Sequence, residues 1–320
     1  MSSVVEVNAL SHSYGTRAAL KSLTFTAAKG EIFGLLGPNG GGKTTTFRIL
    51  STLIAPQSGS AKILGFDLAT EPQEIRRRIG VVFQAPSLDK KLTAYENLMH
   101  QGHLYGLSGS KLKERIGTVL ERVKLADRQH EYVESFSGGM RRRVELAKGL
   151  LHAPELLLLD EPSTGLDPGA RRDLWQYLEQ LSRDEGVTSL LTTHYMEEAG
   201  HCDRLAIINQ GELVALDTPD NLRKIIGGDV VAIQSREPEK LQSEIREKLQ
   251  VEAILMDGNL RVEQENGHEL VAKLAQVFPG RIDSMTLSKP TLEDVFIRKT
   301  GHKFWVEPEQ AVDKKGKKKR

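Results

Sequence analysis

EIFGLLGPNGGGKTTTFRILSTLI, residues 31–54, decides how the rest of the chain is read. An apolar run, Ile32 to Leu36, leads into a glycine-rich turn, Gly37 to Gly42. Lys43, Thr44, Thr45 and a helical pattern with Phe47, Leu50 and Ile54 follow. The order is strand, loop, helix. Within it, Gly37, Pro38, Asn39, Gly40, Gly41, Gly42, Lys43 and Thr44 fit G-x-x-x-x-G-K-[ST], the phosphate-binding loop. Glycines let the backbone curl until several N–H groups point inward at oxygen anions. The helix start adds its dipole and its unpaired N–H groups. Lys43 suits the β- and γ-phosphates and the Thr44 hydroxyl suits Mg²⁺.

A second apolar run, Leu156 to Leu159, ends in Asp160 and Glu161. Such a run reads as a strand buried on both faces of a parallel sheet. An acid pair at its tip is costly unless a metal, a water or a base uses it. Asp160 suits outer-sphere Mg²⁺ and Glu161 suits polarising a water. Gln84 and His194 also fall at C-terminal strand ends, the sheet edge where ligands bind. Ser137, Gly138 and Gly139 open a helix in an arrangement that suits an anion, though the same residues make an ordinary N-cap. Tyr14 could stack on a base or simply pack half-buried.

Around these stretches the chain reads as a small antiparallel sheet edge over 4–30, a turn at 56–59, a strand pair over 60–68, a helix over 72–79 and a strand over 79–84. Residues 92–153 are helical in period, a helical insertion spanning about 87–153 within the α/β domain. A helix over 170–186, a strand over 187–194, a hairpin over 204–217 turning at Gln210–Gly211 and a helix over 218–226 complete a first domain, 1–226. After Gly227–Gly228, residues 228–300 read βαββαβ, the ferredoxin-like or split-βαβ order, followed by a short helix over 291–301. No acid pair, glycine nest or metal-ligand spacing occurs there, so an accessory α+β domain is expected. Residues 301–320 read as a disordered basic tail.

Composition bounds the rest. The 320 residues are 39% hydrophobic and 27% charged, with a formal net charge of +1. That is ordinary for a globular chain of about two domains. The last seven residues, KKGKKKR, hold six of the 44 basic side chains, which leaves a mildly acidic body. The single cysteine, Cys202, excludes a disulfide framework within one chain and fits a reducing compartment. The first residues lack the charged and apolar regions of a signal peptide, and no apolar run reaches the ~18–20 residues of a membrane span.

Taken in order over residues 3 to 225, these pieces resemble the ATP-binding subunit of an ABC transporter. Tyr14 lies where that family stacks adenine. GPNGGGKTT looks like its Walker A loop, with Gly41 where alanine is commoner. Gln84 matches the Q-loop, FSGGM the LSGGQ signature with Phe136 and Met140 departing, LLLLDEP Walker B, STGLD the D-loop and His194 the switch histidine. SGGM followed by RRR, and the PTLEDVF block near the C-terminus, are similar to the drug-exporter type that works with separate ABC type-2 permeases.

The resemblance implies an α/β P-loop NTPase fold, a mixed sheet core with a helical subdomain. It implies a head-to-tail homodimer around two ATP. Gly37 to Thr45 and Tyr14 of one chain would meet Ser137, Gly138, Gly139 and Asp167 of the other. Glu161, His194, Gln84 and Lys43 would carry hydrolysis, and Thr44, Gln84 and Asp160 would hold Mg²⁺. The chain would sit at the cytoplasmic face of the membrane as a peripheral subunit and drive export through a separate permease, with no nucleic acid involved. The alternative is a soluble ABC-type ATPase acting on nucleic acid or ribosomes. Those usually carry zinc-binding cysteines, a long coiled coil or two cassettes, none of which is seen here.

Overall fold

In the computed structural model residues 2–304 are described, and they divide into two compact units, the first ending at Lys224 and the second beginning at Ile225. The first unit opens with a long hairpin, β1 (Ser3–Tyr14) and β2 (Arg17–Ala28), turning at a left-handed Gly15. The buried β3 (Ile32–Leu36) follows, then α1 (Lys43–Leu50), β4 (Ser58–Ile63), β5 (Phe66–Asp67), α2 (Pro72–Arg78) and β6 (Ile79–Val82). Three helices come next, α3 (Ala94–Leu104), α4 (Gly109–Arg122) and α5 (Gly138–Leu150). The unit ends with β7 (Leu156–Asp160), α6 (Pro168–Glu185), β8 (Thr188–Thr193), α7 (Met196–Ala199), β9 (Arg204–Asn209), β10 (Glu212–Asp217) and α8 (Pro219–Lys224).

Two sheets result. One has six strands in the order β10-β9-β3-β8-β7-β6, parallel except for the β9–β10 hairpin. The other has four antiparallel strands in the order β2-β1-β4-β5. The expectation of a small sheet edge over 4–30 is therefore corrected in one respect: the hairpin pairs with β4, Val5 opposite Ile63. That partner lies far along the chain and leaves no local signal.

β7 shows why the six-stranded sheet is central. Leu157 and Leu159 enter the core shared with α3 to α6, whereas Leu156 and Leu158 enter the core under α1 and the antiparallel sheet. All four are fully buried. Successive residues of a strand point to opposite faces, and each buried leucine contributes about 1.5–3 kcal/mol. The register of β7, and hence the position of Asp160 and Glu161, is fixed by both faces at once.

Element ends differ from expectation where local chemistry decides them. The first helix of the insertion begins at Ala94 because Thr93 and Glu96 form a capping box, Thr93 Oγ1 accepting from Glu96 N at 3.1 Å. β8 stops at Thr193 and leaves His194 in the following loop. α7 was not expected; four residues carry no readable period.

The second unit contains β11 (Asp229–Gln234), α9 (Pro238–Leu249), β12 (Ile254–Met256), β13 (Asn259–Gln264), α10 (Gly267–Val277), β14 (Ser284–Ser288) and α11 (Leu292–Thr300). Its antiparallel sheet runs β12-β13-β11-β14, with Leu241, Ile245, Leu270 and Leu274 of the helices, and Phe278 just past α10, packed on Val231, Ile233, Leu260 and Val262. The PTLEDVF segment is accounted for locally. Thr291 and Asp294 cap α11, and Asp294 also accepts from Arg261 of β13. Of the tail expected over 301–320, residues 301–304 are described and do not fit it: Phe304 is buried, its ring 4.9 Å from that of Phe296. Residues 305–320 lie outside the described residues.

Candidate functional site

β3 delivers the chain to the loop, and close contacts hold the loop's shape. A Cβ on Gly37 would stand 2.3 Å from the Ile208 carbonyl oxygen. Gly40 and Gly42 have φ of 78° and 111°, where only glycine sits without strain. Gly41 N donates to Pro38 O at 3.0 Å, and the Gly41 carbonyl accepts from Gly211 N at 2.9 Å. α1 starts from Gly42, with Thr46 Oγ1 donating to Gly42 O at 3.1 Å. Lys43 is buried; its Nζ donates to Gly37 O at 2.8 Å and Pro38 O at 3.2 Å. Burial holds its ammonium below the usual lysine pKa, opposed by the nearby Glu161 and Asp160.

A pocket opens over this loop, walled by Tyr14, Arg17, Ala19, Pro38, Asn39, Gly40, Gly42, Lys43, Thr44, Thr45 and Glu161. Tyr14 is 47% exposed, with its ring set edge-on to His12. An aromatic face, a glycine nest, a cation and a carboxylate thus share one cleft, a set suited to a nucleoside polyphosphate.

The acid pair reaches this cleft through strand order. β8 lies between β3 and β7, so Lys43, His194 and Glu161 come from adjacent strand ends on one sheet edge. Glu161 Oε1 is 3.7 Å from Lys43 Nζ and 3.0 Å from His194 Nδ1. Its Oε2 accepts from Gln84 Nε2 and from Thr164 Oγ1, each at 3.2 Å. Glu161 has φ of 43°, an uncommon conformation for a non-glycine residue. Thr192 supports both acids: its Oγ1 donates to Asp160 Oδ1 at 2.6 Å and accepts from Glu161 N at 3.0 Å. Burial raises the Asp160 carboxyl above the ordinary range, with the Thr192 hydrogen bond acting against it.

Not every sequence-nominated residue arrives here. Ser137, Gly138, Gly139 and Asp167 are not in the walls of this pocket. Ser137 caps α5, its Oγ accepting from Met140 N at 3.2 Å, and Asp167 caps α6, accepting from Ala170 N at 3.0 Å. Gly139 packs against α6, where a Cβ would stand 2.8 Å from Ala170 Cβ. Sequence reading passed over Arg17, Thr192 and Thr164. A basic residue three places after Tyr14, and threonines beside already nominated residues, were the available signals.

Residues 20–164 match the ABC transporter family. The daunorubicin resistance ATP-binding protein DrrA2 of Streptomyces coeruleorubidus is 38% identical over 312 residues, covering 93% of this chain and 95% of the relative. This chain belongs to the ABC transporter ATP-binding family. A Nod factor export ATP-binding protein I of Rhizobium sp. strain N33 is 39% identical over 306 residues, covering 94% of this chain and 98% of the relative. Among solved structures, the ATP-binding subunit of an ABC transporter superposes with a TM-score of 0.63 at 33% identity, covering 70% of this chain and 93% of that one. A dimeric ATP-binding cassette in a post-hydrolysis state with ADP and Pi gives a TM-score of 0.61 at 27% identity, covering 67% of this chain and 98% of that one. The chain is an ABC ATPase, and its activity is ATP hydrolysis coupled to transport.

Proposed function

We propose that the cleft between Tyr14, the Gly37–Gly42 loop and Glu161 binds ATP and hydrolyses it to drive export through a separate membrane permease of the ABC type-2 class. In this reading Tyr14 faces the base, the loop N–H groups and Lys43 hold the phosphates, and Glu161 takes a proton from the attacking water. His194 orients that carboxylate and the γ-phosphate, and Gln84 reports the state of the site. The observation that carries it is the Glu161 carboxylate within 3.0 Å of His194 Nδ1 and 3.7 Å of Lys43 Nζ at one sheet edge.

Thr44, Gln84 and Asp160 offer hard oxygen donors, which fit Mg²⁺. Among the described residues no three His, Cys, Asp or Glu side chains form a metal-binding group, so the ion would be shared with the triphosphate. When bound, it would neutralise charge on the phosphate oxygens.

Ser137 and Asp167 cap α5 and α6, whose first turns are brought side by side at Gly139 and Ala170; in this reading two chains pair head to tail and these caps complete the partner's site. A bacterial ABC transporter cassette that is 26% identical has a dimeric structure. In this reading the pore belongs to another polypeptide and this chain attaches peripherally at the cytoplasmic face; among the described residues no helix is long and apolar enough to cross a membrane. The relatives named for drug resistance and Nod factor export support outward transport.

Glu161→Gln tests the reading. It should bind ATP and dimerise while turnover falls by about 10²–10³. Wild-type turnover in that variant would remove Glu161 as the base.

A further inference from the structure

The run Arg141-Arg142-Arg143 follows the Ser137–Gly139 turn on α5, and its three side chains go to different places. Arg143 pairs with Asp173 on α6. Arg141 Nη2 donates to the Glu134 carbonyl oxygen at 3.5 Å. Arg142 turns inward: Nη1 donates to Phe83 O at 2.7 Å, Nε to Pro162 O at 2.7 Å and Nη2 to Asp160 O at 3.4 Å. Phe83 immediately precedes Gln84, while Asp160 and Pro162 stand on either side of Glu161.

Further along α5, Glu145 accepts from Ser87 N at 2.5 Å and Ser87 Oγ at 2.8 Å, and Lys148 donates to Ser87 O at 2.8 Å. Arg142, Glu145 and Lys148 are three residues apart, so they share one helix face. That face grips the segment around Gln84 from both sides and the segment around Glu161 from both sides. Burial lowers the Arg142 guanidinium to about 10, with Glu145 and Asp160 opposing, so it stays charged at neutral pH. A backbone in an uncommon region, such as Glu161 with φ of 43°, persists only when its surroundings over-determine it. Arg142 and Thr192 supply that constraint, at the flanking carbonyls and at the Glu161 N–H.

We propose that Arg142 is a positioning residue for hydrolysis: by holding the carbonyls around Glu161 and before Gln84, it ties the catalytic edge of the sheet to α5. The inference rests on the reading of Glu161 as the base. It makes the placement of Glu161 and Gln84 follow the helix whose first turn carries Ser137. The guanidinium is suited to this because its fork presents donors in fixed directions; a lysine ammonium is a compact point charge without that fork.

The experiment uses the full chain and compares Arg142→Lys, Arg142→Gln and, as a control for general disturbance of α5, Arg143→Lys. ATP titration counts competent sites, and steady-state hydrolysis is expressed per competent site. Arg142→Lys should bind ATP within about twofold of wild type and lose about tenfold or more in turnover, as expected when a catalytic group is misplaced rather than removed. Arg142→Gln should lose at least as much, and Arg143→Lys should keep wild-type turnover. Unchanged turnover per competent site in Arg142→Lys overturns the proposal. So does complete loss of ATP binding in that variant, which would make Arg142 a fold determinant. An equal loss in Arg143→Lys would do the same. Failure of the Glu161 reading shows separately, as normal hydrolysis by Glu161→Gln alone.

Discussion

At the scale of single residues, the cleft depends on a few buried polar groups with no slack. Thr192 is fully buried and serves Asp160 and Glu161 together. Thr192→Val keeps the shape and removes the hydroxyl. The Glu161 N–H then loses its acceptor, so stability should fall by about 1–3 kcal/mol. Turnover should fall as well, with ATP affinity unchanged; chemical denaturation and ATP titration read the two effects. Lys43, Glu161 and His194 were legible in sequence because each follows a buried strand or a recognisable loop. Thr192 and Arg142 were not, because their partners are main-chain groups or a side chain distant in sequence, and main-chain groups are the same at every position. Gly139 was nominated as an anion contact, and the fold adds another reason for glycine there: the space is taken by Ala170.

At the scale of elements, the parallel strands could be read from their apolar runs, and the second unit's βαββαβ order from its alternation of period. The long-range pairing of β1 with β4 could not, since strand partners separated by dozens of residues carry no shared local pattern. A pH effect belongs at the junction of α5 and β6. His152 stacks on Tyr105 with ring centroids 3.8 Å apart, and its Nε2 lies 2.9 Å from Ile79 O. Burial holds its imidazole below the usual pKa, with the Ile79 carbonyl opposing. A folded pKa below the unfolded value of about 6.5 gives stability that is complete above that value and lost as pH falls through the folded one. Melting temperature should therefore drop between pH 7.5 and pH 5, and less steeply in His152→Gln; parallel slopes in the two proteins would count against the assignment.

At the scale of the whole molecule, every residue of the cleft lies in the first unit, whose cores are built from residues within it. A chain ending at Lys224 should fold and bind ATP with unchanged affinity, as titration would show; an unfolded fragment would mean that the second unit completes the first. Gly139 and Ala170 bear on how two such chains would meet. With only the Ala170 methyl group between them, the first turns of α5 and α6 abut, a contact that would hold the tips at Ser137 and Asp167 together as one prow. Little conformational entropy is then left to lose on association, and more of the contact energy is available to hold the pair together.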